Sequence, residues 1–124
     1  MKTNSREKGR WGEKIASEYL TKKGYKIITT GFRSRFGEID IIANSKEYLT
    51  ITEVKTRKNK NFAHAKEFVG KEKQKKIIKT ANYYLLKQPT KLQPRFDVIE
   101  IYAKDGEKTT DPEIIHIENA FGLN

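Results

Sequence analysis

The spacing of apolar residues divides the chain into helical and strand-like segments. Over residues 5–23, Trp11, Ile15, Ala16, Tyr19 and Leu20 form one stripe of a helix, with Ser5 placed to cap its start and Gly24 to end it. Residues 25–31 (YKIITTG) are rich in β-branched side chains and read as a strand. Residues 36–43 and 48–56 read as two more, separated by the polar NSKE, which predicts a hairpin. Residues 57–66 are polar and loop-like. A long helix follows over 67–87, with an apolar face at Ile77, Ile78, Ala81, Tyr84 and Leu85, and QPTKLQP breaks it through Pro89 and Pro94. Residues 95–103 (RFDVIEIYA) alternate as a strand should, KDGEKTTDP reads as a turn, and 113–118 (EIIHIE) reads as a final edge strand. Trp11, Tyr19, Tyr83 and Tyr84 sit at core spacing. The order helix, three strands, helix, strand, strand predicts an α/β domain. A three-stranded meander and a helical crossover to further strands give a mixed central sheet flanked by helices. No repeat, linker or low-complexity tract divides residues 1–124, which read as a single domain.

The second and third strands raise the chemical question. Residues 37–55, GEIDIIANSKEYLTITEVK, place Glu38, Asp40, Glu53 and Lys55 among aliphatic residues. A turn centred on Ser45–Lys46 sets Asp40 opposite Ile51 and Glu38 opposite Glu53, with Lys55 two residues further on the same face. Asp40 and Glu53 are then diagonal neighbours, and Ile39, Ile41, Thr52 and Val54 line the other face. A loop of odd length would separate Asp40 from Glu53. Two carboxylates converging in an apolar sheet repel each other and lose hydration, so they need compensation. Lys55 offers one positive charge. A divalent cation offers two, and oxygen ligands without His or Cys favour Mg²⁺ or Mn²⁺. Such an ion can polarise a scissile phosphate and activate its bound water, with Lys55 orienting that water or offsetting the charge on the phosphate. The spacing of an acid two residues before a lysine carries no weight alone: about two or three instances are expected from 16 acids and 20 lysines, and only Glu53–Lys55 occurs. The strand context carries it. The competing reading is a cross-strand salt bridge on a solvated face.

Charge adds a partner. The net charge of +10 is uneven: residues 1–37 carry +7, 38–54 carry −3, 55–79 carry +8 and 80–124 carry −2. An acidic island between two basic blocks suits a polyanion binder, against the alternative of a solvated lysine-rich surface. Cysteine is absent, which excludes disulfides, thiolate metal sites and cysteine nucleophiles, and suits a reducing cytoplasm. No signal-peptide core and no membrane-length apolar run occurs, so the expected location is cytoplasmic, with no membrane partner.

Several stretches together resemble the YraN-like family of small bacterial proteins: GRWGEKIASEYLTKKGYKII, FRSRFGEIDIIA, TEVKTR, the helix ending ANYYLL, and RFDVIEI. Asp40, twelve intervening residues and then Glu53-Val54-Lys55 resemble the core of the PD-(D/E)xK nuclease superfamily, with Ile39 where its proline would stand. The front half is similar to archaeal-type Holliday-junction resolvases, which place a glutamate in the first helix. The resemblance implies a restriction-endonuclease-like fold and Mg²⁺- (or Mn²⁺-) dependent hydrolysis of phosphodiester bonds in DNA, including structured or branched DNA. A catalytically silent nucleic-acid-binding module of the same fold is the alternative. It further implies Asp40, Glu53, Lys55 and Glu13 as catalytic residues, Asp40 and Glu53 as metal ligands, and, by analogy with resolvases, a homodimer. Gly31 departs from the family, which often has asparagine there.

Around this core, Arg33 and Arg35 are candidate phosphate contacts, and Glu38 can pair with either. Arg57, Lys58 and Lys60 follow the Glu53–Lys55 strand and are candidate backbone contacts. In KEKQKK at 71–76, Lys71, Gln74 and Lys75 are candidates to reach the nucleic acid, against the reading of a solvated helix face. Phe62 is a candidate for base stacking or core packing. Asp97 reads as structural, paired with Arg95, and His64 and His116 are assigned no role.

Overall fold

The structure is a computed structural model that describes residues 5–59 and 69–122, with side chains of the first helix from Gly9 onward. Lys60, Phe62 and His64 lie outside the described residues, as does the side chain of the expected cap Ser5.

Helix α1 (Ser5–Lys22) ends as its sequence requires. Gly24 adopts φ +94, its N–H donates to the Thr21 carbonyl at 3.0 Å, and the Tyr25 N–H reaches back to the Leu20 carbonyl at 3.0 Å. These two bonds satisfy carbonyls left over by the last turn and release the chain into strand β1. Strands β1 (Lys26–Ser34), β2 (Gly37–Asn44) and β3 (Tyr48–Arg57) form an antiparallel meander. Helix α2 (Lys71–Lys87) then crosses over to β4 (Gln93–Tyr102), which lies parallel to β3. Strand β5 (Glu113–Phe121) returns antiparallel at the edge, giving a five-stranded mixed sheet in the order β1-β2-β3-β4-β5. The predicted elements are all present. Several boundaries move: β1 runs on to Ser34 and β5 to Phe121, the second helix begins at Lys71 after Gly70, and β4 begins at Gln93, so that Pro94, read as a breaker, is its second residue, opposite Leu49. A proline is tolerated at a strand's start.

The two helices cover opposite faces. Ala16 and Leu20 of α1 pack with Ile41, Ala43, Ile99 and Ile101. Ile77, Ala81 and Tyr84 of α2 pack with Ile39, Ile42, Leu49, Ile51, Phe96 and Val98. Gly12 sets how close α1 lies: a Cβ there would stand 2.7 Å from Thr56 Oγ1 and 3.4 Å from Val54 Cγ1. That approach brings the neighbouring Glu13 down to the sheet. Trp11 and Tyr19 pack against the first cluster and Tyr84 is buried in the second, but Tyr83 is 36% exposed and is not core. Among the described residues, no helix is long and apolar enough to cross a membrane.

Candidate active site at a fork in the sheet

The β2–β3 ladder runs from Asn44–Leu49 through Ala43–Thr50 and Ile42–Ile51 to Ile41–Thr52, and ends there. The turn is therefore centred on Lys46–Glu47, closed by Ser45 and Tyr48, one residue beyond the centre expected. This displaces the pairing by two residues and preserves the parity. Continued by one pair, the ladder sets Asp40 directly opposite Glu53 instead of diagonal to it. At that point the strands part, and side chains take up the backbone bonds. The Asp40 N–H donates to Glu53 Oε2 at 3.3 Å, and the Val54 N–H donates to Asp40 Oδ2 at 2.8 Å.

The expected aliphatic face is only partly formed. Ile41 and Val54 pack toward α1, whereas Ile39 packs toward α2 together with Ile42. Alternation breaks between Ile39 and Ile41, at Asp40. The β1–β2 pairs Thr30–Ile41 and Phe32–Ile39 flank Asp40 on one strand and Gly31, at φ +63, on the other. A left-handed residue reverses the local pleat, and glycine and asparagine are the residues that adopt it readily. Gly31 therefore preserves the backbone that asparagine would give.

Five charged groups converge on this fork. Glu53 is 2% exposed. Burial, and then the charge of Asp40, push its carboxyl up to about 7, although Lys73 draws it down. Asp40 is also raised, chiefly by burial, with its bond from Val54 acting in the opposite sense. Burial and the charges of Asp40 and Glu38 raise Glu13 on α1 to about 7. Lys55 is lowered by its own burial and by its neighbour Lys73. Lys73, against the pull of partial burial, is held above its ordinary value by Glu53, whose Oε1 lies 3.4 Å from its Nζ. Glu13 and Glu38 both approach Gly31, where a Cβ would meet their Oε1 atoms at 3.9 and 3.7 Å. The cleft of about 520 Å³ in front of Asp40 is lined by Arg10, Glu13, Gly31, Arg33 and Glu38.

The expected phosphate contacts are scattered. Arg33 lines the cleft and pairs with Glu38 at 3.4 Å, both side chains being exposed. Arg35 lies over the ring of Phe36 at 4.9 Å. Arg57 departs from expectation: its Nε donates to Glu100 at 3.0 Å and its side chain is 9% exposed, which withdraws it from the surface cations. Lys58 and Lys71 are exposed, Lys75 pairs with Glu72 at 3.6 Å, and Gln74 donates to the Val69 carbonyl at 2.7 Å. Residue-level reading missed Lys73. The signal was there: one turn before Ile77 on the stripe that continues through Ala81 and Tyr84 lies position 73, so α2 presents that lysine to the sheet.

A second buried carboxylate lies on β4. Asp97, fully buried, accepts Arg95 Nε at 2.9 Å and Nη2 at 2.8 Å, stands 2.8 Å from His116 Nε2, and accepts the Asn119 N–H at 3.0 Å. These partners overcome the penalty of burial and hold it below the usual carboxylate range. The Arg95–Asp97 pairing is as expected. His116 is not isolated, since its Nδ1 also lies 3.3 Å from the Tyr19 hydroxyl.

Comparison with known proteins agrees with this arrangement of motifs. Residues 12–101 match the family described as Uncharacterised protein family UPF0102. The chain is 47% identical over 121 residues to a UPF0102 protein of Caldanaerobacter subterraneus subsp. tengcongensis, covering 97% of this chain and 98% of the relative. It is 44% identical over 119 residues to a UPF0102 protein of Clostridioides difficile, covering 95% and 99% of the two chains. A UPF0102 protein of Persephonella marina is 44% identical over 118 residues, 94% of this chain and 95% of the relative. The chain belongs to the UPF0102 family, the YraN-like proteins that its motifs resemble.

Proposed function

We propose that the protein is a Mg²⁺- or Mn²⁺-dependent nuclease with the restriction-endonuclease-like fold of the PD-(D/E)xK superfamily, hydrolysing phosphodiester bonds in structured or branched DNA. The observation that carries this is the fork: Asp40 and Glu53 are held against each other where β2 and β3 part, with Lys55 two residues along. The meander followed by a crossover to a parallel β4 supports the fold reading.

The donor set fits a hard divalent cation. Both ligands are carboxylates, both are raised by burial and by like charge, and Asp40 Oδ1 accepts no hydrogen bond among the described residues. No group of three acids or histidines gathers around one point among the described residues. The protein would thus supply two ligands and leave the other positions to water and phosphate, as Mg²⁺ prefers. Bound there, the ion would polarise the phosphate and acidify its water. Lys55, its charge destabilised by partial burial, is placed to orient that water or to offset charge growing on the phosphate. Glu13 closes the cleft from α1 and can hold a proton near neutral pH.

One observation favours a catalytically silent nucleic-acid-binding module instead. Lys73 already faces Glu53 and partly supplies the charge a metal would bring. A cleavage panel separates the two: duplex, single-stranded, flap and four-way-junction DNA, plus RNA, each with Mg²⁺ and Mn²⁺. The enzyme should cut at least one of them, and Asp40→Ala and Lys55→Ala should abolish cutting while sparing affinity. Binding without cleavage across the panel would establish the silent module.

A further inference from the structure

The start of β2 and the outer side of α2 carry a patch that neither the core nor the fork uses. Leu86 is 81% exposed and Tyr83 36% exposed. Phe36, in the β1–β2 turn, meets Tyr83 edge-on with ring centres 6.4 Å apart, and the Phe32 ring lies tilted against Tyr83 at 6.3 Å. Together with Arg35, Lys79 and Asn82, Phe36, Tyr83 and Leu86 line a shallow recess of about 400 Å³. Arg35 lies over Phe36 at 4.9 Å, and Lys87 lies over Tyr83 at 5.6 Å.

The charge around this patch is of one sign. From Lys73 to Lys87, α2 contains no Asp or Glu. Arg35, Lys79 and Lys87 make no ion pair among the described residues. A patch built only for a partner's aliphatic surface would not need rings fringed by unpaired cations. Surface rings overlain by flexible, unpaired cations match a nucleic-acid strand, whose bases can displace those side chains from the π-faces while its phosphates pair with them. Placement agrees: Phe36 stands at the turn into β2, four residues before Asp40 and so at most about 14 Å from it along the chain. A strand lying across the patch is therefore led toward the fork.

We propose that Phe36 and Tyr83, with Leu86, form a stacking platform for unpaired bases, and that Arg35, Lys79 and Lys87 hold the adjoining phosphates. The platform would favour substrates with a single-stranded arm or frayed end. It rests on the nucleic-acid side of the proposed function and is independent of cleavage.

The test is binding in EDTA, where the metal site plays no part. Fluorescence anisotropy would follow a single-stranded oligonucleotide and a blunt duplex of the same length against wild type, Phe36→Leu and Tyr83→Leu. Each substitution keeps an apolar side chain and removes a ring. Each should weaken single-strand binding roughly 5- to 100-fold and duplex binding far less. Lys79→Ala should weaken both alike and flatten their salt dependence. Irradiating wild type with 5-bromodeoxyuridine-substituted single strand should crosslink Phe36 or Tyr83, a readout that requires no variant to fold. Ring variants that bind single strands as wild type does would overturn the proposal, as would crosslinks confined to other elements. So would a dimer that dissociates on Leu86→Asp while single-strand affinity is unchanged, since the patch would then serve a second copy of the chain. Loss of cleavage with binding intact in Asp40→Ala bears only on the nuclease reading.

Discussion

Glu53→Gln probes the fork through stability, without reference to any substrate. The Glu53 carboxyl is almost fully buried and is raised from 4.5 to about 7, first by burial and then by Asp40. A group with a raised pKa binds its proton more tightly in the folded chain than in the unfolded one. The folded state is therefore not penalised below pH 4.5, is penalised increasingly between there and pH 7, and bears the full cost above. That shift corresponds to about 3 kcal/mol at pH 8, an upper bound because Asp40 titrates with Glu53 and shares the cost. Glutamine keeps the shape and an oxygen for the Asp40 N–H. It gives up the 3.4 Å contact with Lys73, whose side chain is 48% exposed, so that loss is below about 1 kcal/mol. In EDTA at pH 8 the variant should be more stable than wild type by about 1–3 kcal/mol, on the order of 5–10 °C in Tm. The advantage should vanish by about pH 4.5. Thermal unfolding followed by circular dichroism at both pH values and fixed ionic strength measures it, and the wild-type–variant difference cancels titration elsewhere. Adding Mg²⁺ at pH 8 should raise Tm of the wild type and leave Glu53→Gln nearly unmoved. A variant less stable than wild type by the same amount at both pH values would refute the reasoning.

Lys73→Ala should lower metal-free stability at pH 8 by less than about 1 kcal/mol, because the side chain is half exposed, and should enlarge the Tm gain on adding Mg²⁺. An unchanged gain would show that Lys73 does not compete with the ion. Gly31→Ala should cost about 1–2 kcal/mol in urea unfolding and Gly31→Asn clearly less, since φ +63 strains alanine more than asparagine. Asp97→Asn should cost up to about 3–5 kcal/mol at pH 7, because it leaves the buried Arg95 guanidinium with the half-exposed Glu118, at 3.3 Å, as its counter-charge. Asp97 has a lowered pKa, so its contribution is present above pH 3.8 and is lost as pH falls through the lower folded value; the two proteins should converge in acid.

The fold was legible because its signals are local and mutually consistent. A 3.6-residue stripe ending at Gly24, and a stripe from Ile77 to Leu85, each specify one helix and the face it buries. Three β-branched runs joined by short polar turns specify a meander. The departures arise where a residue's role depends on a distant partner. Pro94 looks like a breaker until it is placed second in β4, where the Gln93 N–H makes the bond to the Glu47 carbonyl of the β3 side at 3.1 Å. Tyr83 has core spacing, yet its neighbour Tyr84 takes the interior and leaves Tyr83 on the rim. His116 and Tyr19 are 97 residues apart in sequence, and nothing local to either announces the contact.

The site was legible through parity, which tolerates the error made in register. Moving the turn centre by one residue shifts every pair by two, so Asp40 and Glu53 stay on one face and come closer. What parity does not convey is the fork, which depends on Gly31 and on the end of the ladder at Ile41–Thr52. The same sheet supplies a control. Asp97 and the Asp40–Glu53 pair are all buried, and each accepts a backbone N–H from a point where regular pairing is interrupted. Asp97 is matched by a bidentate arginine and a histidine, and its pKa falls. Asp40 and Glu53 have each other and two half-buried lysines, Lys55 and Lys73, which do not offset their burial, and both pKa values rise. One buried carboxylate is satisfied within the chain and two adjacent ones are not, which is the imbalance the proposed cation site requires. A divalent cation, brought to a surface of net +10 by a polyanion, would complete the balance.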